Sequence, residues 1–409
     1  MSRNGFATIT LLASLCCASP ALAQEDPFTL TAQTTSGTPE SVTESGSSVI
    51  DLVQNLIESQ DQFVGFQGQS FTASLDYGGV ADAIQFSRNA AGTSATVTIP
   101  STGFSRTFTG SNEQEVLDEI EDFLLKEGAS EYARFLRTVN EQSMLGVVDG
   151  NPRAATAMFS DDAFFKFGLH RSPTDAGSLA SRTPGGTGLR LDFRAGLDDT
   201  EAGDGYHVVG SFSSVSRIGD RVGLALSAPF SYREVEGAEV FAGGLEFSLP
   251  IVVLSPFGGR GVVWQLTPTV YGGAAGSEDL AAGGTLFGGG GTSSLSVPLG
   301  GSAALTIGNG IYFHEGYSIH IGEYEFETDL SQQVMKHGVM LTQGLGPLSI
   351  DVGITYTDFL QDAAVDNYLS PTLGVTLGAG SVGVRVAYQG DMADGFTSHG
   401  GMVVVYFNF

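Results

Sequence analysis

Residues 400–409 read GGMVVVYFNF, and this stretch decides the fold of the second half of the chain. Its residues alternate with a period of two, which predicts a β-strand. One face of that strand carries Val403, Val405, Phe407 and Phe409. Chain termini usually fray in polar surroundings. A hydrophobic strand that runs to the last residue therefore needs a partner strand along its whole length.

The same alternation extends back to residue 188. In LRLDFRAGL (189–197), apolar side chains occupy every odd position and Arg190, Asp192 and Arg194 occupy even ones. Twelve such segments occur, each about as long as a tilted membrane-crossing strand. They lie near 188–197, 206–217, 221–233, 240–254, 262–272, 284–299, 302–313, 326–343, 348–357, 368–378, 382–390 and 400–409.

The connections between these segments alternate between short and long. A secreted β-sandwich is the alternative fold, but its strands are usually shorter and it gives no reason for this alternation. We therefore predict a mainly β protein, with a C-terminal twelve-stranded antiparallel transmembrane β-barrel preceded by a small α+β domain. A closed barrel pairs its last strand with its first, which provides the partner that residues 400–409 need.

Charge is sorted in the same way. Nineteen of the 23 acidic residues after position 188 lie in or at the base of the long connections, and no Lys or Arg lies in those connections. By strand parity, seven charged side chains point into the lumen instead. They are Arg190, Asp192, Arg194, Arg233, Glu246, Asp351 and Arg385, with Lys336 ambiguous. A charge on the lipid face costs about 2–4 kcal/mol at the midplane, so this sorting favours the barrel.

The first 23 residues predict a secretory signal peptide: a basic Arg3, a short apolar run and an Ala21-Leu22-Ala23 cleavage site. Both cysteines, Cys16 and Cys17, lie inside it, which excludes disulfides and cysteine metal sites from the mature chain. The formal net charge of −27 becomes −28 without Arg3, with 17 basic and 45 acidic residues left. Nucleic acid is therefore excluded as a partner, since phosphates need a basic surface.

Three further regions precede the barrel at 188–409. Residues 24–47 are Ser/Thr-rich and aperiodic, which predicts a disordered lead-in. Residues 48–168 predict a small α+β periplasmic domain, with a helix near 48–60, strand-like runs, a capped helix after Ser111 and a helix near 130–142. Residues 169–187 are rich in Gly, Ser and Pro, which predicts a flexible linker.

With these features the chain resembles the Gram-negative outer-membrane β-barrel proteins. The resemblance is carried by the signal peptide, the absence of later cysteines, the even strand count and the aromatic alternation ending at Phe409. It implies location in the cell outer membrane and contact with its lipid. It also implies recognition of Val403, Val405, Phe407 and Phe409 by the barrel-assembly machinery. The usual glycine upstream of the last aromatics has no counterpart at Val404.

A looser resemblance is to the twelve-stranded autotransporter translocator, which also has a C-terminal barrel after an exported N-terminal region. The region before the barrel is short here and has no β-helix repeat.

The lumen admits two interpretations. The charged residues form either a charge-selective constriction or a set of ion pairs that closes the lumen. Divalent cations could bridge the acidic loops to the lipid surface, but no loop has the spacing of a defined metal site. Residues 284–291, GTLFGGGG, precede no Lys-Ser/Thr pair and predict no phosphate loop or cofactor.

For catalysis, the best candidate cluster is His314, Glu315, His320 and Glu323 in one predicted loop. Polar loop residues are the simpler interpretation, and we do not expect an enzyme. The expected function is a narrow channel or uptake protein for small solutes, with a periplasmic plug or gating domain. The alternatives are a translocator of the chain's own N-terminal region and a surface enzyme or structural, adhesive barrel.

Overall fold

The computed structural model describes residues 26–37, 39–57, 61–125, 128–169, 187–200, 203–218, 221–235, 237–254, 261–300, 302–321, 324–326, 328–379 and 381–408. The predicted signal peptide, most of the predicted linker and Phe409 lie outside these residues. None of the helices in the described ranges is long and apolar enough to span a membrane.

The N-terminal domain, residues 26–142, contains a six-stranded antiparallel sheet with the strand order β2-β1-β3-β4-β5-β6. Its helices are α1 (Val49–Ile57), α2 (Glu113–Leu125) and α3 (Ala129–Gln142). Its strands are β1 (Phe28–Thr34), β2 (Ser41–Gly46), β3 (Phe71–Tyr77), β4 (Val80–Arg88), β5 (Ser94–Ile99) and β6 (Phe104–Thr109). Short 3₁₀ turns cover Asp61–Phe66 and Pro100–Thr102.

The predicted disordered lead-in at 24–47 is wrong for most of its length, because β1 and β2 form within it. Phe28, Leu30 and Ala32 are buried against the rest of the domain, while Thr29 and Thr31 face outward. The outward threonines bond across to Ser45 and Thr43 of β2 at 3.0 and 3.1 Å. Only three apolar residues carry this alternation, which is why the Ser/Thr-rich composition hides it.

The described residues from 187 to 408 close into a twelve-stranded barrel. The last strand, β21 (Phe396–Asn408), pairs with the first, β7 (Thr187–Thr200), from Phe396↔Thr200 to Asn408↔Gly188, so the prediction made from residues 400–409 is confirmed. One wall strand is broken into β10 and β11 around Pro250, which has no N–H to donate to the ladder. The wall strands are β7 (Thr187–Thr200), β8 (Gly203–Arg217), β9 (Gly223–Val235), β10 (Ala238–Ser248) with β11 (Ile251–Leu254), β12 (Val263–Ser277), β13 (Ala282–Gly300), β14 (Ala303–Gly316), β17 (Ser331–Leu345), β18 (Leu348–Phe359), β19 (Asn367–Ala379), β20 (Val382–Ala393) and β21 (Phe396–Asn408).

Side chains alternate across the barrel wall as the sequence predicts. Leu191, Phe193 and Leu197 of β7 are exposed on the outside, and Arg190 and Asp198 are buried inside. The outer apolar surface extends around the whole wall, as a lipid-facing surface must. The interior is polar.

The barrel has two distinct rims. The terminal rim carries both ends of the barrel, Thr187 and Asn408, and the connections 218–222, 255–262, 301–302, 346–347 and 380–381. The loop rim carries 201–202, 236–237, 278–281, 317–330, 360–366 and 394–395. The longest connection is on the loop rim, and its described part includes a small hairpin of β15 (Ile319–Ile321) and β16 (Tyr324–Phe326).

The N-terminal domain is packed on the loop rim. Leu280, in the connection between β12 and β13, is fully buried in the same hydrophobic core as Phe28 and Tyr77. Tyr77 donates a hydrogen bond to the Leu280 carbonyl at 2.6 Å, and the Val49 N–H donates to the Asp279 carbonyl at 2.9 Å. These contacts lie on the rim opposite the barrel's two ends, Thr187 and Asn408.

Candidate functional site: the occupied lumen

The lumen of the barrel contains part of the chain itself. We call residues 144–169 the lumen segment; it includes α4 (Ala155–Phe164) and a π-helical turn (Phe165–Leu169). Nearly all its side chains are buried. The segment begins beside the N-terminal domain and ends at Leu169 inside the barrel. Residues 48–168 are therefore not a single domain, because their last part lies in the lumen.

Arg153 holds the lumen segment near the loop rim. Its Nε donates to Asp198 Oδ1 of β7 at 3.0 Å and its Nη2 donates to Asp391 Oδ2 of β20 at 2.8 Å. The three side chains are 5%, 2% and 3% exposed. Asp198 also contacts His207 Nδ1 at 2.8 Å, and Asp391 accepts a bond from Ser370 at 2.6 Å. Such charge-assisted bonds at full burial fix the segment in position.

A second contact runs in the opposite direction, from an arginine of the wall to the backbone of the segment. Arg233 of β9 donates to the carbonyl oxygens of Met144, Leu145 and Gly146 at 3.2, 3.1 and 2.5 Å. It also donates to Asn151 Oδ1 at 3.2 Å. These carbonyls belong to an irregular loop with no helix or sheet ladder to satisfy them. A buried carbonyl needs a partner, and the guanidinium provides it.

The middle of α4 makes polar contacts to further strands. Lys336 of β17 forms an ion pair with Asp161 and donates to Thr357 Oγ1 at 2.6 Å. Ser160 Oγ is 3.0 Å from His314 Nε2 of β14. Thr156 donates to Gln332 Oε1 at 2.7 Å. Lys336, ambiguous from sequence, therefore points inward.

Glycines in the wall make room for the segment. A Cβ on Gly338 would lie 2.8 Å from Leu169 Cδ1, and one on Gly308 would lie 2.8 Å from the Gly168 carbonyl oxygen. The Phe159 ring, stacked on Tyr271 at 5.1 Å between centroids, lies where Cβ atoms on Gly244 and Gly273 would be, 2.6 Å from each. A Cβ atom does not approach non-bonded atoms so closely, so a larger residue at these positions would displace the segment or the wall.

The seven charged residues predicted to line the lumen all lie on the inner face of the wall. Two pairs near the terminal rim are formed within the wall: Arg190 with Asp192 at 2.7 Å and Arg385 with Asp351 at 2.9 Å. The Phe165 ring of the segment lies beside both arginines, 5.9 and 5.6 Å from their guanidinium carbons. Of the others, Arg233 contacts the segment directly, and Arg194 is 3.8 Å from Asp391.

Glu246 of β10 faces α4 from another side. Ser248 donates to its Oε1 at 3.1 Å, and its side chain is 1% exposed. The segment's Asp162 pairs with Lys166, which in turn donates to Ser211 of β8 at 2.8 Å. Contacts of this kind link the segment to most of the circumference. Beside the segment about 90 Å³ of free space remains, which is room for a few water molecules.

The predicted histidine cluster is not brought together. His314 is in β14 rather than a loop, and its side chain is buried in the lumen against Ser160 and Tyr271. Glu315, the next residue, faces outward and accepts a bond from Ser331. His320 belongs to β15, and Glu323 lies outside the described residues. Among the described residues, no group of three or more His, Cys, Asp or Glu side chains has the geometry of a metal site.

No family model matches the sequence, and no curated protein matches it. Solved structures do resemble the barrel. The translocator domain of the autotransporter NalP from Neisseria meningitidis is 14% identical, with a TM-score of 0.42, over 55% of this chain and 89% of that one. An outer-membrane channel from Pseudomonas putida is 12% identical, with a TM-score of 0.46, over 57% and 99%. The β domain of the Bordetella autotransporter BrkA is 11% identical, with a TM-score of 0.40, over 56% and 100%. Similarity at this level does not extend to function.

The geometry of the chain itself defines its class. A closed antiparallel barrel with an even strand number, an apolar outer wall and a polar interior is the architecture of bacterial outer-membrane proteins. The chain is a twelve-stranded outer-membrane β-barrel, and its own residues 144–169 occupy its lumen.

Proposed function

We propose that this barrel is a translocator of its own N-terminal region. In this role residues 26–142 pass through the barrel to the loop rim, and the lumen segment then remains inside as a seal. The membrane lipid and the barrel-assembly machinery are the partners this role requires, and the machinery would engage the terminal strand at Val403, Val405 and Phe407.

One observation carries this proposal: the path of the chain. The N-terminal domain packs on the loop rim, whereas the first wall strand begins at Thr187 on the terminal rim. The described part of the connection between them, residues 144–169, lies inside a closed cylinder. Either the domain crossed the lumen or the barrel closed around the segment that follows it, and both routes leave the domain on the far side.

Membrane orientation follows from the connections. Outer-membrane barrels have short turns on the periplasmic side and longer loops on the outside. Each rim has three connections of two residues, so the longest connections decide: 317–330 on the loop rim has fourteen residues, whereas 255–262, the longest on the terminal rim, has eight. The proposal therefore places the N-terminal domain outside the cell.

Cysteine labelling on intact cells tests this orientation, since the chain has no cysteine after Cys17. Ala91 lies in an exposed turn of the N-terminal domain and Ser381 in an exposed turn of the terminal rim. We expect a membrane-impermeant maleimide to label Ala91→Cys on intact cells and Ser381→Cys only after the outer membrane is opened. Labelling of Ala91→Cys only after opening would refute the translocator.

A second candidate is a gated channel for small solutes. The specific observation that favours it is the chemistry of the seal: ion pairs and hydrogen bonds to a polar wall hold the lumen segment, so its displacement would expose a hydrated passage. Reversible opening events of the unmodified protein in planar bilayers would support this role. A protein that stays closed under all voltages and pH values would count against it.

A further inference from the structure

The outer wall carries a polar patch where lipid is expected. His337 of β17 and Asn309 of β14 are direct partners across the sheet, and His337 Nδ1 lies 2.8 Å from Asn309 Oδ1. Both side chains are exposed on the outside of the barrel. We call these two residues, with Ser293, Gly289 and Gly291 of β13, the outer polar patch.

The patch lies within the lipid-facing band. Along β14, Asn309 is flanked on the outer face by Ile307 and Ile311, and both are exposed. Along β17, His337 is followed on that face by Val339, which is also exposed. Apolar side chains on both sides of the pair exclude a position at the water interface.

Neighbouring strands extend the patch. Ser293 is the direct cross-strand partner of Asn309, and Trp264 Nε1 donates to Ser293 Oγ at 3.0 Å. Gly289 and Gly291 lie on the same face of β13 and have no side chains. Their cross-strand neighbours, Val270 for Gly289 and Ile311 for Gly291, have apolar side chains. The wall therefore has a shallow depression beside the polar pair.

Lipid cannot satisfy this surface. A polar group in hydrocarbon costs free energy unless it has a hydrogen-bond partner. The contact between His337 and Asn309 uses one nitrogen of the imidazole and the amide oxygen. If Nδ1 donates, the remaining His337 Nε2 is an acceptor and the Asn309 Nδ2 group has two N–H donors. Within the described part of the chain, the structure shows no partner for either group.

We propose that the outer polar patch is the interface between two copies of this barrel in the membrane. Two-fold symmetry makes the surface self-complementary: Asn309 Nδ2 of one copy donates to His337 Nε2 of the other, and the same bond forms in reverse. Small residues allow membrane-embedded walls to approach closely, and polar side chains across the contact hold them together. The depression at Gly289 and Gly291 supplies the close approach.

A second copy fits this chemistry better than lipid does. It offers one donor and one acceptor at matched positions, whereas an acyl chain offers neither. The patch also contains no Asp, Glu, Lys or Arg, so two copies meet without repulsion between such side chains.

The test measures self-association of the full-length protein in liposomes by single-molecule photobleaching, at increasing protein-to-lipid ratios. We expect dimers, and at least a tenfold weaker association for the double variant His337→Leu with Asn309→Leu. The matched control is His399→Leu, since His399 is another exposed outer-wall histidine and is bonded to Tyr388 at 2.6 Å. That variant is expected to associate as the unmodified protein does.

Cross-linking gives an independent readout. Gly291→Cys is expected to form a disulfide between two copies under mild oxidation, and Val384→Cys, on the lipid face of β20, is not. Heat-modifiable migration on gels verifies that each variant is a folded barrel. Monomers at every ratio, or dimers that the double variant leaves unchanged, would overturn the proposal.

Discussion

Replacing Arg153 by alanine is expected to release the lumen segment from the wall. Among the described residues, only the Arg153 guanidinium lies within hydrogen-bonding distance of both Asp198 and Asp391. Its removal leaves two buried carboxylates facing an empty site. Arg194 lies 3.8 Å from Asp391, too far to replace both bonds.

The size of this effect follows from burial. Breaking a buried ion pair by removing one partner costs about 3–5 kcal/mol, and each 1.4 kcal/mol is about tenfold in an equilibrium constant. The ratio of released to seated segment should therefore rise by a factor of about a hundred to several thousand. The wall pairs near the terminal rim, Arg190–Asp192 and Arg385–Asp351, do not involve Arg153. The barrel itself should stay folded.

Single-channel recording in planar bilayers measures this ratio, because a released segment opens the lumen. The expected result is frequent opening of Arg153→Ala against rare opening of the unmodified protein. The control is Arg134→Ala, which breaks an exposed pair with Glu131 worth at most about 1 kcal/mol. A rescue variant, Arg153→Met with Asp198→Asn and Asp391→Asn, removes the uncompensated charge and should restore closure. If Arg153→Ala is as silent as the unmodified protein, this account of the seal is wrong.

Three further outcomes follow from named contacts. Gly338→Ala should weaken binding of the lumen segment to the wall by about 1–3 kcal/mol, since the atoms nearest the added Cβ belong to side chains, Leu169 among them. In thermal melts, the double variant with Leu169→Ala should recover most of the loss. Leu280 lies in the contact with the N-terminal domain, so Leu280→Ala should weaken that contact by about 2–5 kcal/mol and expose the domain to protease. Leu299 is exposed at the other end of the next strand, and Leu299→Ala should leave protease resistance unchanged. Burial raises the pKa of Asp149 to about 7, against about 3.9 in an unfolded chain. Its contribution to stability is therefore complete below about pH 4 and is lost as the pH rises towards 7, and Asp149→Asn should flatten that slope in melts between pH 4 and pH 8.

The barrel could be predicted from sequence because each wall residue has a simple environment. One face of a strand meets lipid and the other meets a polar lumen, so the period of two is uninterrupted. All twelve predicted segments correspond to wall strands. Eleven of the strands extend further at the loop rim than predicted, as at Gly203–Arg217 against 206–217, whereas the strand predicted at 326–343 begins only at Ser331. Charge sorting by parity likewise gave the inward position of Arg233 and Glu246.

The lumen segment could not be predicted in the same way. The barrel wall surrounds α4 on every side, so Ala155, Thr156, Phe159 and Ser160 are all buried and no polar stripe marks a solvent face. Its partners are glycines and single polar residues on at least eight different strands, which a linear pattern does not connect. The start of α2 shows a smaller error: Asn112, not Ser111, accepts the N–H of Glu115, so the cap lies one residue later.

The distribution of charge stabilises the lumen segment inside the barrel. Arg190 and Arg385 have their carboxylate partners within the wall. Nearer the loop rim the arrangement differs: Asp198 and Asp391 are paired with the segment's Arg153, and Lys336 is paired with its Asp161. If the segment left, Asp198, Asp391 and Lys336 would each lose an ion pair. Arg233 would lose four acceptors. Since an unpaired buried charge is costly, the wall near the loop rim is complementary to the segment rather than to water. A barrel built as a permanently open pore would pair those charges within its own wall, as this one does at Arg190–Asp192 and Arg385–Asp351.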